Sequence, residues 1–224
     1  MKDSIYTIPV NEVFEEKCGC PICKMRNTLE TRCVDYIMGA AMMEPDVRIE
    51  TNKQGFCKPH FDMMLNKKNR LSLALILESH LIELQKDIKN RKSLSKKAKK
   101  GEGETCFVCA QIDWAIKRMF STIIKLYNKE EEFRELFDSQ EFLCFKHYKE
   151  LCAFAEENMP KKLSGDFLAS CEALCSKGLS KTQNDISHYC KMFDYRNSGK
   201  DADWGDSKDS IERAIHFLTS RECL

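Results

Sequence analysis

The chain has 224 residues, with 36 Lys and Arg against 35 Asp and Glu, five His, 13 Cys, nine Gly and five Pro. That length buries a real core, in one domain or two small ones. The charge balance excludes a globally basic nucleic-acid binder and an acidic solubilising tail. The first twenty residues, MKDSIYTIPVNEVFEEKCGC, lack the apolar stretch of a signal peptide, and the longest apolar run nearby, Leu73 to Leu77, is far short of a membrane span. A soluble, cytoplasmic protein is expected, and in a reducing compartment clustered cysteines more often hold metal than form disulfides. Few Pro and Gly beside many Leu, Lys, Glu and Met favour helices over strands.

In chain order the first marker is CPIC, Cys20-x2-Cys23. Beyond it apolar residues fall at Ile22, Met25, Leu29, Cys33, Tyr36, Ile37 and Ala40, the 3.6-residue stripe of an amphipathic helix. A polar segment with Pro45 and Gly55 then returns the chain, through a short helix, to FCKPH, where Cys57 precedes His60 by three positions. One long helix is expected next, with Phe61, Met64 and Leu65, then Leu73, Leu77, Leu81, Leu84 and Ile88, on one face. The segment that follows carries eight Lys or Arg between Lys86 and Lys100. It reads as a solvated helix end and linker, or as a phosphate-binding patch for nucleic acid. Few aromatics are interleaved to stack on bases.

The pattern then recurs. Cys106-x2-Cys109 is followed after 34 residues by Cys144-x2-His147, where the first pair of motifs is separated by 33. Chance at this composition gives roughly 0.7 C-x2-C and roughly 0.3 C-x2-H pairs, so two of each in alternation mark an internal duplication. Apolar positions repeat with the cysteines: Ile22 meets Val108, Leu29 meets Ala115 and Ile37 meets Ile123. The second copy expects a helix striped by Val108, Ile112, Ala115, Met119, Ile123 and Leu126. A further helix runs from His147, broken near Pro160 and resuming from Leu163 towards Phe193.

Two cysteines two residues apart can aim both sulfurs at one ion, and a C-x2-H pair can do the same from a helix start. Read in sequence order, Cys20, Cys23, Cys57 and His60 form one tetrahedral Cys3His set, and Cys106, Cys109, Cys144 and His147 the other. Thiolate-rich four-ligand sites suit Zn2+ and leave no open position for substrate, so two structural zinc ions per chain are expected. An iron–sulfur cluster on three cysteines and a histidine is the rival metal, and metal-free thiols the remaining reading.

The other copy tests the surplus cysteines. Cys33 matches Met119, Cys152 matches Leu65, Cys171 matches Leu84 and Cys175 matches Ile88, so these four are expected as core. A third site from Cys171, Cys175, His188 and Cys190 is the sharper alternative. Cys18 can replace Cys20 as a ligand, and Cys223 reads as an exposed thiol. His80 is expected to be packed, and His216 exposed opposite the apolar face Ile211, Ala214, Ile215 and Leu218 of a terminal helix capped around Asp206 or Ser207. Before that helix, Phe193, Tyr195 and Trp204 anchor a loop, with a pocket of Asp194, Tyr195 and Arg196 as a further candidate. No P-loop, H-E-x-x-H, dinucleotide fingerprint or hydrolase triad is present.

With CPIC, GFCKPH and FDYRN in view, the chain resembles a bacterial family catalogued as a domain of unknown function, some members of which carry the label of ABC transporter substrate-binding protein. The export signal and two-lobed α/β pattern of such a binding protein are missing here. The resemblance spans nearly the whole chain and implies no established activity. The second copy departs from the first, with Phe107 in place of the knuckle proline and Leu143 in place of Phe56, so if either site is weaker or empty it is expected to be the second. The expected architecture is all-α, with zinc-stapled helical modules at 1–100 and 101–192 and an aromatic loop with a closing helix at 193–224. The expected role is a protein-interaction or regulatory module. A nucleic-acid-associated zinc protein using Lys86–Lys100 and a thiol or metal redox switch or enzyme are the alternatives.

Overall fold

A computed structural model describes residues 7–17, 19–90, 106–194 and 203–221. Of these residues 83 per cent are helical and none lies in a strand, which fixes the class as all-α. In chain order the helices are α1 (Ile8–Glu15), α2 (Pro21–Met38), a 3-10 turn (Ala40–Met43), α3 (Pro45–Gln54), α4 (Lys58–Asn66), α5 (Arg70–Lys89), α6 (Phe107–Lys129), α7 (Glu131–Asp138), α8 (Phe145–Asn158), α9 (Lys161–Met192), a second 3-10 turn (Gly205–Ser207) and α10 (Ser210–Thr219).

Local chemistry sets most boundaries. Pro21 and Pro45 open α2 and α3, where a missing N–H costs nothing. Gly55, at φ 66°, ends α3 in a backbone conformation that disfavours a side chain. The break near Pro160 is where the sequence places it. The single long helix expected after FCKPH is instead two, α4 and α5. Asn69 sits between them, accepting from the Ser72 N–H at 3.1 Å and donating to the Met38 carbonyl at 3.2 Å, so it caps α5 and pins the break.

Two compact units result: Arg26–Ile116, and Met1–Met25 with Lys117–Leu224; their boundary falls within α2 and α6. In the smaller unit Ile37, Met64, Leu73, Ile76 and Ile112 are buried. The apolar stripe of α5 is covered only in its first half: Leu81, Leu84 and Ile88 are exposed. The reason is length, since α3, its main packing partner, spans about 15 Å against about 30 Å for α5.

The larger unit has an aromatic centre. Phe14 of α1 lies 5.2 Å from Phe133 and 5.6 Å from Phe137, and Tyr127 meets Phe137 and Phe167 edge-on. The cysteine pattern gives no hint of α1, although its Val10 and Phe14 are wholly buried. Phe193 and Trp204 do meet, 5.7 Å apart, with Tyr189 as the third ring of the group.

Helix α10 docks with a different face from the one its apolar pattern predicts. Ser210, Phe217 and Ser220 are buried, His216 is half-buried, and Ile211, Ile215 and Leu218 are exposed. Two contacts select this orientation. Arg213 reaches Asp185 at 2.5 Å and Asp209 at 3.0 Å, and Phe217 lies over Gly178 of α9. The helix also starts later than the expected cap at Asp206 or Ser207, because Gly205–Ser207 forms its own 3-10 turn.

Lys86 and Lys89 occupy the last turn of α5. The remainder of the basic segment from Arg91 to Lys100 lies outside the described residues, as do Cys18, Tyr195, Arg196 and Cys223. Among the described residues no helix is long and apolar enough to cross a membrane.

A β-carbon at Gly178 would come within 2.7 Å of Phe142 Cβ and 2.8 Å of the Phe217 ring. Gly178→Ala should therefore destabilise the protein by about 1–3 kcal/mol through overpacking, although Ala elsewhere in a helix gains about 1 kcal/mol over Gly. Urea unfolding reads the sign; a stabilised variant would show that Phe142 and Phe217 have room to move.

Candidate metal centres

Four helices begin at cysteines. Cys20 and Cys106 stand immediately before α2 and α6, while Cys57 and Cys144 cap α4 and α8 in extended backbone, with ψ of 162° and 153°. First-turn N–H groups without helical partners, and the positive end of the helix dipole, favour a thiolate at such a position. Three residues on, His60 and His147 fall on the same side of their helices as the capping cysteine. The local placement of all eight expected residues thus follows from the spacing.

Their assembly does not follow the sequence order. Cys20 and Cys23 join Cys144 and His147, and Cys57 and His60 join Cys106 and Cys109, with the ligand atoms of each group all within 4.8 Å of one another. The expected sets, each confined to one motif pair, are therefore corrected: every C-x2-C meets the C-x2-H of the other pair. Helix stiffness gives the reason. The 18 residues of α2 carry the chain about 27 Å from Cys20, and the return includes only the 3-10 turn and the roughly 15 Å of α3. His60 accordingly comes to rest beside Glu30, in the middle of α2, rather than beside the cysteines at its start.

Backbone straps hold each partnership. At the first centre the Gly19 N–H donates to Glu141 at 2.8 Å, and the Gln140 side chain donates to the Phe14 carbonyl at 2.8 Å. At the second the Phe107 N–H donates to the Gly55 carbonyl at 3.0 Å. The Cys144 N–H points at the Cys20 sulfur, and those of Cys57 and Cys109 at the Cys106 sulfur.

In the first centre Cys23 Sγ lies 3.6 Å from Cys144 Sγ, and His147 Nδ1 lies 3.9, 3.3 and 3.2 Å from the sulfurs of Cys20, Cys23 and Cys144. In the second, Cys57 and Cys109 sulfurs are 3.9 Å apart, and His60 Nδ1 is 3.0, 3.1 and 3.6 Å from Cys57, Cys106 and Cys109. A tetrahedron with bonds of ~2.3 Å to sulfur and ~2.0 Å to nitrogen has edges of roughly 3.5–3.8 Å. Both groups fit one four-coordinate ion.

Burial makes these groups costly without a cation. It pushes Cys20 and Cys109 up to about 12, and hydrogen bonding with Cys144 and Cys20, reinforced by burial, raises Cys23 strongly. Cys144 is lowered by hydrogen bonds from Cys20 and Cys23, against its burial. At the second centre burial works to raise Cys106, but the His60 hydrogen bond and two backbone N–H groups outweigh it and bring it down to about 6. Burial likewise opposes charge on His60, and hydrogen bonds to Cys106 and Glu30 carry it up to about 10. Burial thus opposes ionisation of these thiols while neighbouring hydrogen-bond donors favour it at Cys106 and Cys144, and a dication among the sulfurs would relieve that opposition.

The surroundings differ. His60 Nε2 meets the Glu30 carboxylate at 2.7 Å, which leaves Nδ1 as the nitrogen facing the sulfurs. Among the described residues the buried His147 Nε2 has no hydrogen-bond partner, and Cys144 instead has the Ser220 hydroxyl 2.9 Å from its sulfur. All four first-centre residues are buried, whereas Cys57 and Cys109 are half-buried. Spacing alone could not reveal Glu30 or Ser220. Glu30 does lie on the same helix stripe as Cys23, but nothing in the sequence singles it out.

The surplus cysteines divide. Cys171 and Cys175 are buried as expected; Cys33 and Cys152 are only half-buried, Cys33 beside Cys106 and Cys152 in hydrogen-bond contact with Cys171. The alternative third site is not assembled among the described residues: Cys190 is exposed and His188 bonds the Asp203 carbonyl at 2.9 Å. His80 packs against Gly55, its Nδ1 3.0 Å from the Asn52 carbonyl.

Glu30→Ala should weaken metal at the second centre by ~10–100-fold and leave the first unchanged. Competition against a chromophoric chelator measures this; equal affinities would remove Glu30 from the site. Compared with known proteins, the chain matches no curated protein and no solved structure. The model of one family, described as a family of unknown function (DUF6062), matches residues 1–223. Over its whole length, cysteine pairs and histidines included, the chain belongs to the DUF6062 family.

Proposed function

We propose that this chain is a structural zinc protein, built on a duplicated helical module, whose two ions hold a scaffold for protein–protein or regulatory contacts. One observation carries the reading: eight residues at matching spacings converge into two Cys3His groups, each with all ligand atoms within 4.8 Å. That spacing admits a single ion. An iron–sulfur cluster binds its ligands through separate irons and needs them further apart. Three thiolates and an imidazole suit zinc, and four protein ligands close the coordination sphere, so the ion supports the fold rather than a reaction. Support for a protein partner comes from the exposed Leu81, Leu84 and Ile88 on α5 and the exposed Ile211, Ile215 and Leu218 on α10.

Zinc quantification on paired variants tests metal and partnership together. Wild-type protein should carry two zinc ions per chain, and Cys20→Ser, Cys57→Ser or Cys144→Ser alone should each remove one. Cys20→Ser with Cys144→Ser should still remove only one, while Cys20→Ser with Cys57→Ser should remove both. A Cys20/Cys57 double variant that keeps one ion would restore pairing within each motif pair; wild-type protein without zinc would end the metal reading.

Acid gives a second check. Zinc holds the sulfurs as thiolates, so protons compete with it, and occupancy should fall as pH falls and remain steady as pH rises towards 9. Thermal stability should follow the metal downwards on the acid side; stability independent of zinc content would show that the ions do not hold the fold.

A further inference from the structure

Ser220 is the C-terminal boundary residue of α10, and its backbone stands at φ 58°, ψ 27°. That left-handed conformation usually falls to glycine, because a β-carbon crowds the backbone there. Serine is nevertheless present and 95 per cent buried, since its relative exposure is 5%. Its N–H closes the helix on the His216 carbonyl at 2.7 Å, and its Oγ lies 2.9 Å from Cys144 Sγ. A metal-bound thiolate carries no proton, so at that centre the hydroxyl must be the donor.

Two further observations give the contact a direction. The second centre has Glu30 behind its histidine, whereas at the first the buried His147 Nε2 has no partner among the described residues. The support missing from the histidine of the first centre is thus offset on a cysteine, and from a helix beyond the repeated motifs. That helix packs on α8, which begins at Cys144, and on α9. Its unexpected orientation is also accounted for: the face with Ser210, Phe217 and Ser220 must turn inward for the hydroxyl to reach the sulfur.

We propose that α10 is a working part of the first centre: Ser220 donates its hydroxyl to the Cys144 thiolate, so that metal at this centre and docking of α10 stabilise each other. Ser220 is a positioning residue, acting on the ion through Cys144. The inference rests on the metal reading and adds to it a coupling between one ion and the end of the chain. By linkage, whatever lifts α10 weakens metal at the first centre, and loss of that metal loosens α10. The second centre stands apart from this exchange.

The test uses the full chain, stripped of metal and titrated with Co2+, whose thiolate charge-transfer band reports on sulfur donation. Wild-type protein should bind two equivalents. Ser220→Ala and Ser220→Gly should each weaken one equivalent by ~10–100-fold, shift its charge-transfer band and leave the other unchanged. Glycine separates the hydroxyl from the backbone, since it relieves the left-handed strain while removing the donor. Wild-type affinity and spectrum in Ser220→Gly would overturn the coupling. Amide exchange on the wild-type chain supplies a readout that needs no variant: α10 should exchange faster after chelation, and unchanged protection would also overturn it. A wild-type chain that takes up no cobalt would overturn the metal reading and the coupling together.

Discussion

Everything in this fold answers to the crowding of three sulfurs and an imidazole within a few ångströms in two places. Buried thiols resist ionisation, yet Cys106 and Cys144 are drawn towards the thiolate by the groups around them. A group of this kind packs well only around a cation. Zinc supplies ~10–16 kcal/mol to such sites, comparable to or greater than the ~5–15 kcal/mol net stability of a whole domain.

The helix starts turn this crowding into architecture. Cysteine at the N-terminal boundary of four helices, with histidine one turn into two of them, places each ligand where unpaired N–H groups and the helix dipole already favour negative charge. An ion held at either centre would fix the relative position of two helix beginnings, since each group joins the starts of two helices. This explains why short connections such as Gly55–Phe56 and Gln140–Leu143 carry the straps: they have only to hold register next to the ligands.

Much of this was legible in the sequence. Spacing identified all eight clustered residues, the 3.6-residue stripes located α2 and α6, Pro160 marked the interruption between α8 and α9, and comparison of the motif pairs placed Cys171 and Cys175 in the core. What spacing could not express was partnership. Moving from 33 intervening residues to a separation of 121 is less than two doublings of loop length, a penalty of only about 1 kcal/mol. Nearness in sequence is thus a weak guide, and the length of α2 decides against it. The division of α4 from α5 hung on one side chain, Asn69. The inward face of α10 hung on Gly178, Arg213 and Ser220, all invisible to a hydrophobic period. Helix α1 escaped notice because eight residues with two buried anchors make too short a pattern to read.

The exchange of partners also sets an order of events during synthesis. Residues needed for the second centre are all present once Cys109 has been made, whereas Cys20 and Cys23 must wait for His147, 38 positions later. At ~5–20 residues per second that interval lasts roughly 2–8 s. For that time Cys20 and Cys23 lack the partners that the fold gives them, while Cys57, His60, Cys106 and Cys109 can already meet. The two groups therefore become complete against the numbering of their cysteine pairs, with Cys106 and Cys109 finding their partners before Cys20 and Cys23.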